Sequence, residues 1–600
     1  MLDPHNRNLL TELLAPPQGM AFDAGLTTTY TLDLLSLLSV PLHLAWLATA
    51  EEESEALLQD GIRLMEAFQR IGERLSIYTD RGRIQAPGQA HALFGLLESS
   101  IVEVRAPHEG AFHPKLWVLR FVGQDDPDRV LVRLGILSRN LTSDRSWDLI
   151  LQVEGTPGKQ YVAANRELGK LLSRLPELAV SPCAARHGDL AQKLADQVRK
   201  TRFIAPPPWE GEVSFHVLGM DRKPWKPPAS AQLAIISPFV SPNALKDLCS
   251  TSKEALMLVS RPDQLAALDP NVRKFFKSCM VLAEEAVTDD GEEAVDTAEQ
   301  PTGLHAKAFL LEIGWYVHLF MGSANATDAA LRFGHNVEVL AELRGLRSKL
   351  GKVASLLDRD DFGGLLTEFD MDAPATTPNP DDVAAEKILD TLQFDMAAAN
   401  LSLTCTKADN DSWRLSLKSA KALEWPEMVV CGWLLSRREE QAVSLAPLRR
   451  GEIVDLGLVS TAEVTGLVGI RAVLSGMTRR FALNLPVSGL PDSRDAAILR
   501  RLVRNKEGFM RYLRLLLGNL AGGYSPVGKP TGKGGGSPVQ DACVPDSLLE
   551  DMVKAFSRKP QRLEDIRRVV ATLQEGGNDI VPPEFVELLK VFETASGESR

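Results

Sequence analysis

Short apolar runs separated by polar turns dominate the chain from about Leu75 onwards. Runs such as LSIYTD, HPKLWVLRFV and RVLVRLGIL are separated by turns rich in Gly, Pro and Asp, and this pattern is typical of β-strands. Polar helical stretches follow near 162–175 and 190–202, before a Pro-rich break at 205–208. The pattern predicts a mixed α/β unit, the first lobe, over residues 1–204.

A similar order of elements recurs beyond the Pro-rich break. QLAIISPFV leads into a helix that Ser241-Pro242-Asn243 would open, and EALMLVS, HAKAFLLEI, YVHLFMG and NVEVLAEL read as further strands. The recurrence predicts a duplicated α/β unit rather than one long sheet. We call residues 205–375 the second lobe.

After the linker APATTPNP the pattern changes. A helix near 381–399 leads into alternating runs such as LSLTCT, WRLSLKS and LVGIRAVLSG, which predict an antiparallel β domain, of sandwich type, over 376–490. Residues 491–600 are predicted to be helical, with a flexible Gly-rich loop at 521–540. That loop lacks the GxxxxGK[ST] spacing of a phosphate loop.

Composition narrows the class of protein. The 600 residues are 44% hydrophobic and 24% charged, which suits a soluble globular chain of about three to five domains. The net charge of −12 provides no global basic field, so any phosphate binding must be local. The six cysteines are dispersed, without metal-ligand spacing, which argues against a zinc site and a disulfide framework and indicates a reducing cytoplasm. We expect no metal or other cofactor.

One apolar segment, 34–50, has some features of a membrane-spanning helix. It is uncharged but short, and it contains Pro41 and His43, so we predict a buried apolar helix or strand–turn–helix instead. The N-terminus lacks the features of a secretory signal. We therefore expect a cytoplasmic protein without stable membrane association.

Two copies of one polar motif carry the candidate chemistry. His113-Pro114-Lys115 is followed by Ser138-Arg139-Asn140, and His305-Ala306-Lys307 is followed by Ser323-Ala324-Asn325. Each HxK is predicted to lie on an apolar strand, where alternation puts His and Lys on one face, about 6.5 to 7 Å apart. Each SxN falls where the following strand ends, so Ser and Asn would lie beside the His and Lys of the same copy and form a half-site with them. Two such half-sites facing each other would surround one phosphodiester.

These groups suffice for phosphoryl transfer without a metal. One imidazole can attack phosphorus, the other can act as general acid, and the ammonium and amide groups can bind the equatorial oxygens. Seven histidines outside the motifs have ordinary structural interpretations; they are His43, His91, His108, His187, His216, His318 and His335.

The paired HxK and SxN motifs resemble those of the phospholipase D superfamily over roughly residues 20 to 375. The resemblance implies two α-β-α lobes, each a mixed sheet between helices, and a covalent phosphohistidine intermediate. It also implies a catalytic set of His113, Lys115, Asn140, His305, Lys307 and Asn325. Ser138 and Ser323 would add hydrogen bonds, and Glu338 and Asp148 lie where such proteins place a carboxylate that orients histidine. By the same resemblance His113 is the nucleophile and His305 the acid, with the reverse assignment left open.

The motifs depart from the fuller family pattern at three positions. The Asp of HxKxxxxD is replaced by Arg120 and Glu312, and Leu137 replaces the first glycine of the GSxN motif. These looser HxK and SxN motifs resemble those of the nuclease and DNA-repair branches, so we expect DNA or RNA as substrate. A lipid phosphodiesterase or phosphatidyltransferase and a non-catalytic nucleic-acid-binding scaffold are the alternatives. The resemblance also suggests an anti-phage defence setting, with a separate helicase or translocase as partner because this chain has no Walker motif.

Two charged segments lie outside the motifs. The predicted helix 494–517 carries a basic face that can contact phosphates or an acidic partner, or simply be solvated. Its candidate nucleic-acid contacts are Arg500, Arg501, Arg504, Lys506 and Arg511. The acidic segment 284–299 is interpreted as a solvated loop, and its alternative role is to repel substrate from the phosphate site.

Overall fold

The computed structural model describes residues 10–45, 61–91, 93–143, 146–283, 303–357, 362–375, 379–408, 412–517, 552–553, 561–574 and 580–598. The acidic segment 284–299 and the Gly-rich loop 521–540 lie outside these residues. Two mixed sheets, of six and eight strands, form most of the N-terminal part of the chain, and sheets of four and six strands form the part that follows.

The N-terminal part contains nine strands. They are β1 (Met20–Thr29), β2 (Leu32–Asp33), β3 (Leu75–Asp80), β4 (Ile84–Gln85), β5 (Ile101–Val104), β6 (Leu116–Gly123), β7 (Val130–Leu137), β8 (Ser146–Trp147) and β9 (Ile150–Gly155). Six of them form the first sheet, in the order β5-β3-β1-β6-β7-β9. β1, β3 and β5 are parallel to one another, whereas β6, β7 and β9 each run antiparallel to the strand before them in this order.

The next part of the chain contains a second set of strands. They are β10 (Glu210–Leu218), β11 (Ser230–Ile236), β12 (Ser252–Val259), β13 (Ser278–Leu282), β14 (Gly303–Leu304), β15 (Ala308–Ile313), β16 (Tyr316–Gly322), β17 (Glu338–Leu346) and β18 (Leu366–Glu368). The second sheet has the order β10-β17-β16-β15-β11-β12-β13-β18. β11, β12 and β13 are parallel to one another. β15 runs antiparallel to β11, β16 to β15, and β17 to β16.

The two sheets repeat one topology. The six strands β13-β12-β11-β15-β16-β17 match β5-β3-β1-β6-β7-β9 in chain order, position and direction. The predicted duplication of a mixed α/β unit is therefore confirmed. The central strand β1 was not predicted, because its sequence MAFDAGLTTT is rich in Ala and Thr and lacks the apolar run of its counterpart β11.

Helices cover the faces of these sheets. In this part of the chain they are α1 (Leu10–Leu14), α2 (Leu34–Leu44), α3 (Gly61–Ile71), α4 (Phe94–Leu97), α5 (Arg166–Arg174), α6 (Ala185–Lys200), α7 (Pro242–Cys249), α8 (Pro262–Ala267), α9 (Pro270–Arg273) and α10 (Arg347–Leu350). The α2 helix has Asp33 as its N-cap and accommodates Pro41. Among the described helices, none combines the length and the apolar character that crossing a bilayer requires.

One hydrophobic core joins the two sheets. Alternate residues of β6 point to opposite sides: Leu119 packs with α2 and α3, whereas Leu116 and Val118 belong to a core that includes Ala308 and Leu310 of β15. The shared core fixes the two lobes against each other, because burial of apolar area is the largest favourable contribution to folding.

The remaining strands form a two-sheet sandwich. They are β19 (Ser402–Lys407), β20 (Ser412–Lys418), β21 (Val429–Leu434), β22 (Val443–Ser444), β23 (Val454–Ser460), β24 (Leu467–Leu474), β25 (Met477–Asn484) and β26 (Val487–Ser488). One sheet has the order β23-β20-β19-β26, and a common core that includes Leu415 and Ile470 joins it to the other. That other sheet has the order β2-β4-β25-β24-β21-β22 and so includes two short strands of the first lobe.

The helices of the C-terminal part are α11 (Pro380–Ala398), α12 (Arg494–Leu502), α13 (Lys506–Leu517), α14 (Gln561–Gln574) and α15 (Pro583–Glu598). The predicted single helix over 494–517 is wrong, since the chain leaves helical geometry at Val503, with φ −91° and ψ 80°. The side chain of Asn505 then accepts a hydrogen bond from the backbone N–H of Gly508 at 2.8 Å, as an N-cap does. Two shorter helices result.

A buried ion pair ties the C-terminal part to the first lobe. Glu98 Oε2 accepts a hydrogen bond from Arg494 Nη1 at 2.8 Å, and the two side chains are only 12% and 9% exposed. Glu98 Oε1 also accepts from the backbone N–H of Gly466 at 3.0 Å and from the Thr465 hydroxyl. The carboxylate therefore connects the first lobe to the sandwich and to α12.

We expect Arg494→Met to lower the free energy of unfolding by about 3 kcal/mol, because it leaves the Glu98 carboxylate buried without its cation. Thermal and urea unfolding of the whole chain, followed by circular dichroism, would measure the change. Arg501→Met is the matched control: Arg501 lies on the same helix but is exposed, 3.8 Å from Glu463, and should cost less than about 1 kcal/mol. Equal stability of the two variants would contradict the prediction.

Candidate active site

The two HxK motifs occupy equivalent positions in the two sheets. Lys115 directly precedes β6 and Lys307 directly precedes β15, so both motifs lie in the segments that enter these strands rather than on the strands themselves. The prediction that they lie on strands is thus wrong by a few residues. The paired Ser138 and Ser323 directly follow the neighbouring strands β7 and β16, as predicted.

Backbone hydrogen bonds bring the two motifs together across the lobes. The N–H of His113 donates to the carbonyl of Val337 at 3.0 Å, and the N–H of His305 donates to the carbonyl of Trp147 at 2.8 Å. β14, just before His305, pairs in parallel with β8, which ends at Trp147. Each histidine segment of one lobe therefore runs beside the carboxylate-bearing segment of the other.

This pairing needs a close backbone approach at Gly110. A Cβ on residue 110 would lie 2.2 Å from the carbonyl oxygen of His335, in the other lobe. Because both contacting atoms would be held by the backbone, no larger residue fits without separating the segments. The glycine thus permits the contact that aligns the half-sites.

Glu338 orients His113 from the opposite lobe. His113 Nδ1 lies 2.9 Å from Glu338 Oε2 and 3.1 Å from the carbonyl oxygen of Ser323. The His113 side chain is 13% exposed and the Glu338 side chain is fully buried. With Nδ1–H donating to the carboxylate, Nε2 retains its lone pair.

Lys115 completes this half-site. Its Nζ lies 3.0 Å from His113 Nε2 and donates to the carbonyl of His113 at 3.1 Å. Burial lowers the pKa of Lys115 well below its usual value, and the positive charge of Lys307 lowers it further, while Glu338 opposes the change. Burial also lowers the pKa of His113, against the raising effect of Glu338 and with a further lowering by Lys115. The site is therefore a buried cationic space that an anion would stabilise.

The second half-site reaches into the first through its lysine. Lys307 Nζ donates to the carbonyl of Ser138 at 3.1 Å and to that of His305 at 2.7 Å. Lys307 is 2% exposed, and its charge affects both His113 and Lys115. The two lysines thus face one common space between the lobes.

Both serines act on the backbone in the same way. Ser138 Oγ accepts a hydrogen bond from the N–H of Leu149 at 2.7 Å, and Ser323 Oγ accepts from the N–H of Val339 at 3.0 Å. The Ser323 hydroxyl also donates to Glu338. The serines therefore fix the segments that carry the carboxylates, and they are positioning residues by geometry.

The two asparagines retain unused hydrogen-bonding capacity. In the described part of the chain, Asn140 Oδ1 and Asn325 Oδ1 are buried and have no hydrogen-bond partner. A buried amide without its partner is costly, so its presence at both equivalent positions favours a role in ligand binding.

Asp148 occupies the position in the first lobe that Glu338 occupies in the second. Leu137 pairs with Ile150 and Gly322 pairs with Leu340, so each carboxylate lies two residues before an equivalent partner. In the structure Asp148 Oδ2 lies 3.3 Å from Arg139 Nε. The duplication makes Asp148 the carboxylate on the segment that the His305 backbone contacts.

The departures from the fuller motif have structural explanations. Arg120, in place of the first Asp, forms an ion pair with Asp23. Glu312, in place of the second, accepts hydrogen bonds from the N–H of Val353 at 2.8 Å and from Arg347 at 3.1 Å. These positions hold neighbouring elements together outside the space between the lysines.

Sequence reasoning missed Tyr30, which directly follows β1. The Tyr30 and His113 rings are 5.0 Å apart in an edge-on arrangement, and Tyr30 is itself 5.1 Å from the guanidinium of Arg83. The residue could not be placed because the strand before it was not recognised. Comparison of the two lobes, with HxK as the anchor, would have shown that a strand was needed there.

Three arginines of the predicted basic face contact groups of the protein itself. Arg500 Nε donates to the carbonyl of Thr572 at 3.1 Å, Arg501 lies 3.8 Å from Glu463, and Arg504 Nε donates to the carbonyl of Arg501 at 3.0 Å. Lys506 and Arg511 are exposed on the second of the two helices. A nucleic-acid role for these five residues stays a prediction.

Comparisons with known proteins add two structural likenesses. No family model and no curated sequence matches the chain. Among solved structures it is similar to a mutant of the yeast tyrosyl-DNA phosphodiesterase, with 11% identity and a TM-score of 0.31, over 56% of this chain and 84% of that one. It is also similar to phosphatidylserine synthase of Haemophilus influenzae Rd KW20, with 12% identity and a TM-score of 0.32, over 65% of this chain and 90% of that one.

We expect Glu338→Gln to lower the pKa of His113 further, because the charge that favours the imidazolium is lost. Titration of the protein labelled with ¹³C at histidine, with the resonance assigned by His113→Gln, would measure it by NMR. Glu342→Gln is the matched control, since Glu342 lies on the same strand and pairs with His216 and His318 instead. A His113 pKa that is unchanged or raised in Glu338→Gln would show that the carboxylate does not act on this histidine.

Proposed function

We propose that the chain is a metal-independent phosphodiesterase of the phospholipase D type, with one active site formed by both half-sites. The observation that carries the proposal is the cross-lobe arrangement of His113, Glu338, Lys115 and Lys307. It combines an oriented imidazole with two buried ammonium groups, which are the groups that phosphoryl transfer needs.

His113 is the proposed nucleophile. Burial holds its pKa low, so the imidazole is neutral near neutral pH, and the hydrogen bond to Glu338 leaves the lone pair on Nε2. Nε2 attacks phosphorus, the new P–N bond forms, and the bond to the leaving oxygen breaks. Glu338 then stabilises the imidazolium that carries the phosphoryl group.

His305 is the proposed general acid and base. In the first step it gives a proton to the leaving oxygen, and in the second it takes a proton from the water that attacks phosphorus and breaks the P–N bond. The ammonium groups of Lys115 and Lys307 and the side-chain NH2 groups of Asn140 and Asn325 donate hydrogen bonds to the equatorial oxygens as their charge grows. Ser138 and Ser323 hold the carboxylate segments in place.

The proposed substrate is DNA or RNA. The looser HxK and SxN motifs, which resemble those of the nuclease branch, support this choice. The cationic space between the lobes also supports it, because a chain with a net charge of −12 can bind phosphates only where positive charge is concentrated locally. The second candidate is a phospholipid headgroup, since a lipid phosphodiester presents the same reacting group. The nuclease assignment extends to a role in anti-phage defence beside a separate helicase or translocase, as the motif resemblance suggests.

We expect the purified protein to cleave labelled single-stranded DNA, duplex DNA or RNA in EDTA, and His113→Ala and His305→Ala to lose about 10³-fold or more of the rate. His216→Ala is the matched control, because His216 also pairs with a carboxylate, Glu342, but lies outside the half-sites. Headgroup release from phospholipid vesicles instead of nucleic-acid cleavage would move the function to the lipid candidate. Binding without turnover of any substrate would leave only a scaffold.

We also expect His305→Ala to accumulate a covalent adduct on His113, because attack can still occur while hydrolysis lacks its base. An oligonucleotide with a good leaving group, 4-nitrophenol, makes the first step independent of the acid. Mass spectrometry of the intact protein, carried out without acid, would detect the adduct, and peptide mapping would then locate the phosphoryl group. An adduct on His305 in the His113→Ala protein, and none on His113, would reverse the two roles.

A further inference from the structure

A second polar cavity, of about 370 Å³, opens beside the candidate active site. Its walls come from the first lobe, the second lobe and the helix α11, which leads into the sandwich. Its lining includes Tyr30, Arg81, Arg83, Asn336, Gln393 and Phe394. We call it the arginine pocket.

The arginine pocket shares a wall with the active site. Tyr30 lines the pocket and contacts the ring of His113. Asn336 also lines it, and its Oδ1 accepts a hydrogen bond from the N–H of Ala111 at 3.0 Å, two residues before His113. The backbone that positions the imidazole is therefore also the wall of the pocket.

The lining combines cations with aromatic faces. The guanidinium of Arg81 lies 4.1 Å from the centroid of the Phe394 ring, which is 49% exposed, and Arg83 lies over Tyr30. The lining holds three arginines, Arg81, Arg83 and Arg105, and two carboxylates, Asp80 and Glu109, and burial raises the pKa of Asp80 to about 7. The cations of the lining thus outnumber its carboxylates, whereas an acyl chain would need an apolar wall.

Gln393 adds an unsatisfied acceptor to this lining. Its side chain is 6% exposed, Nε2 donates to the carbonyl of Gly82, and in the described part of the chain its buried Oε1 has no hydrogen-bond partner. A ligand with an amino group would satisfy such an acceptor after a small adjustment.

We propose that the arginine pocket binds an unpaired nucleotide next to the scissile phosphate, with the base stacked on Phe394 and its backbone phosphate held by the arginines. The proposal rests on the phosphodiesterase function proposed above and deepens it by naming single-stranded nucleic acid as the substrate class. Stacking on Phe394 requires a base that is free of its complement, and aromatic and guanidinium faces are the groups that hold such bases.

The test compares two substrates in Phe394→Ala, Arg81→Met and Phe394→Trp. Bis(4-nitrophenyl) phosphate reports the phosphate site alone, and a fluorescent single-stranded oligonucleotide reports both sites. Trp315→Ala is the matched control, because Trp315 forms a similar exposed pair with Arg347 in the turn after β15, at the opposite end of this strand from Lys307.

We expect Phe394→Ala and Arg81→Met to weaken oligonucleotide binding, measured by fluorescence anisotropy, by about tenfold. They should raise KM for its cleavage similarly and leave turnover of the small phosphodiester unchanged. Phe394→Trp should retain binding, and Trp315→Ala should match the wild type. Duplex DNA should bind more weakly than the single strand and be insensitive to Phe394→Ala.

Three results would overturn the proposal. These are unchanged oligonucleotide binding in Phe394→Ala and Arg81→Met, an equal loss on both substrates, and a loss confined to headgroup release from phospholipid vesicles. If the wild type turns over neither substrate, the proposed function fails, while the anisotropy measurement still decides whether the pocket binds single strands.

Discussion

The pairing of each histidine segment with the carboxylate segment of the opposite lobe is the interaction on which the site depends. The backbone bonds from His113 to Val337 and from His305 to Trp147 set the two half-sites face to face. Without them His113 would lose Glu338, and the two lysines would no longer share one space. The duplication supplies two equivalent halves, and the shared core under β6 and β15 holds them in contact.

The electrostatics of the site follow from this packing. Bringing the lobes together buries two ammonium groups and an imidazole near one carboxylate, so burial and mutual repulsion lower the pKa values of Lys115 and His113. Such an arrangement is costly in the free protein and is relieved by a bound anion. The burial that lowers the pKa of Lys115 also lowers that of His113, which favours the neutral imidazole that the proposed nucleophilic role requires.

The C-terminal part takes part in the architecture of the first lobe. It contributes four strands to a sheet that also contains β2 and β4, and Glu98 and Glu103 accept hydrogen bonds from it. Because α11 lies against Gly82, its Phe394 and Gln393 reach the loops that follow β1 and β3. The accessory region thereby shapes the arginine pocket beside the site.

Local patterns in the sequence predicted the candidate catalytic groups and the repeated order of elements. The spacing of HxK and SxN, and the apolar runs between them, depend only on local periodicity, which is why the strands around His113 and His305 could be predicted. The strand β1 was missed because its burial in the centre of a sheet, rather than its composition, makes it a strand. The single helix over 494–517 was wrong because a local cap at Asn505 outweighed the continuous amphipathic pattern.

Which of these groups meet depends on how the lobes and the C-terminal part pack together. That Glu338 contacts His113 across the lobes, and that Tyr30, Arg81 and Phe394 surround one pocket, depends on contacts between residues far apart in the chain. Such contacts are set by how apolar faces pack, and no local sequence pattern records the partner that a face will find.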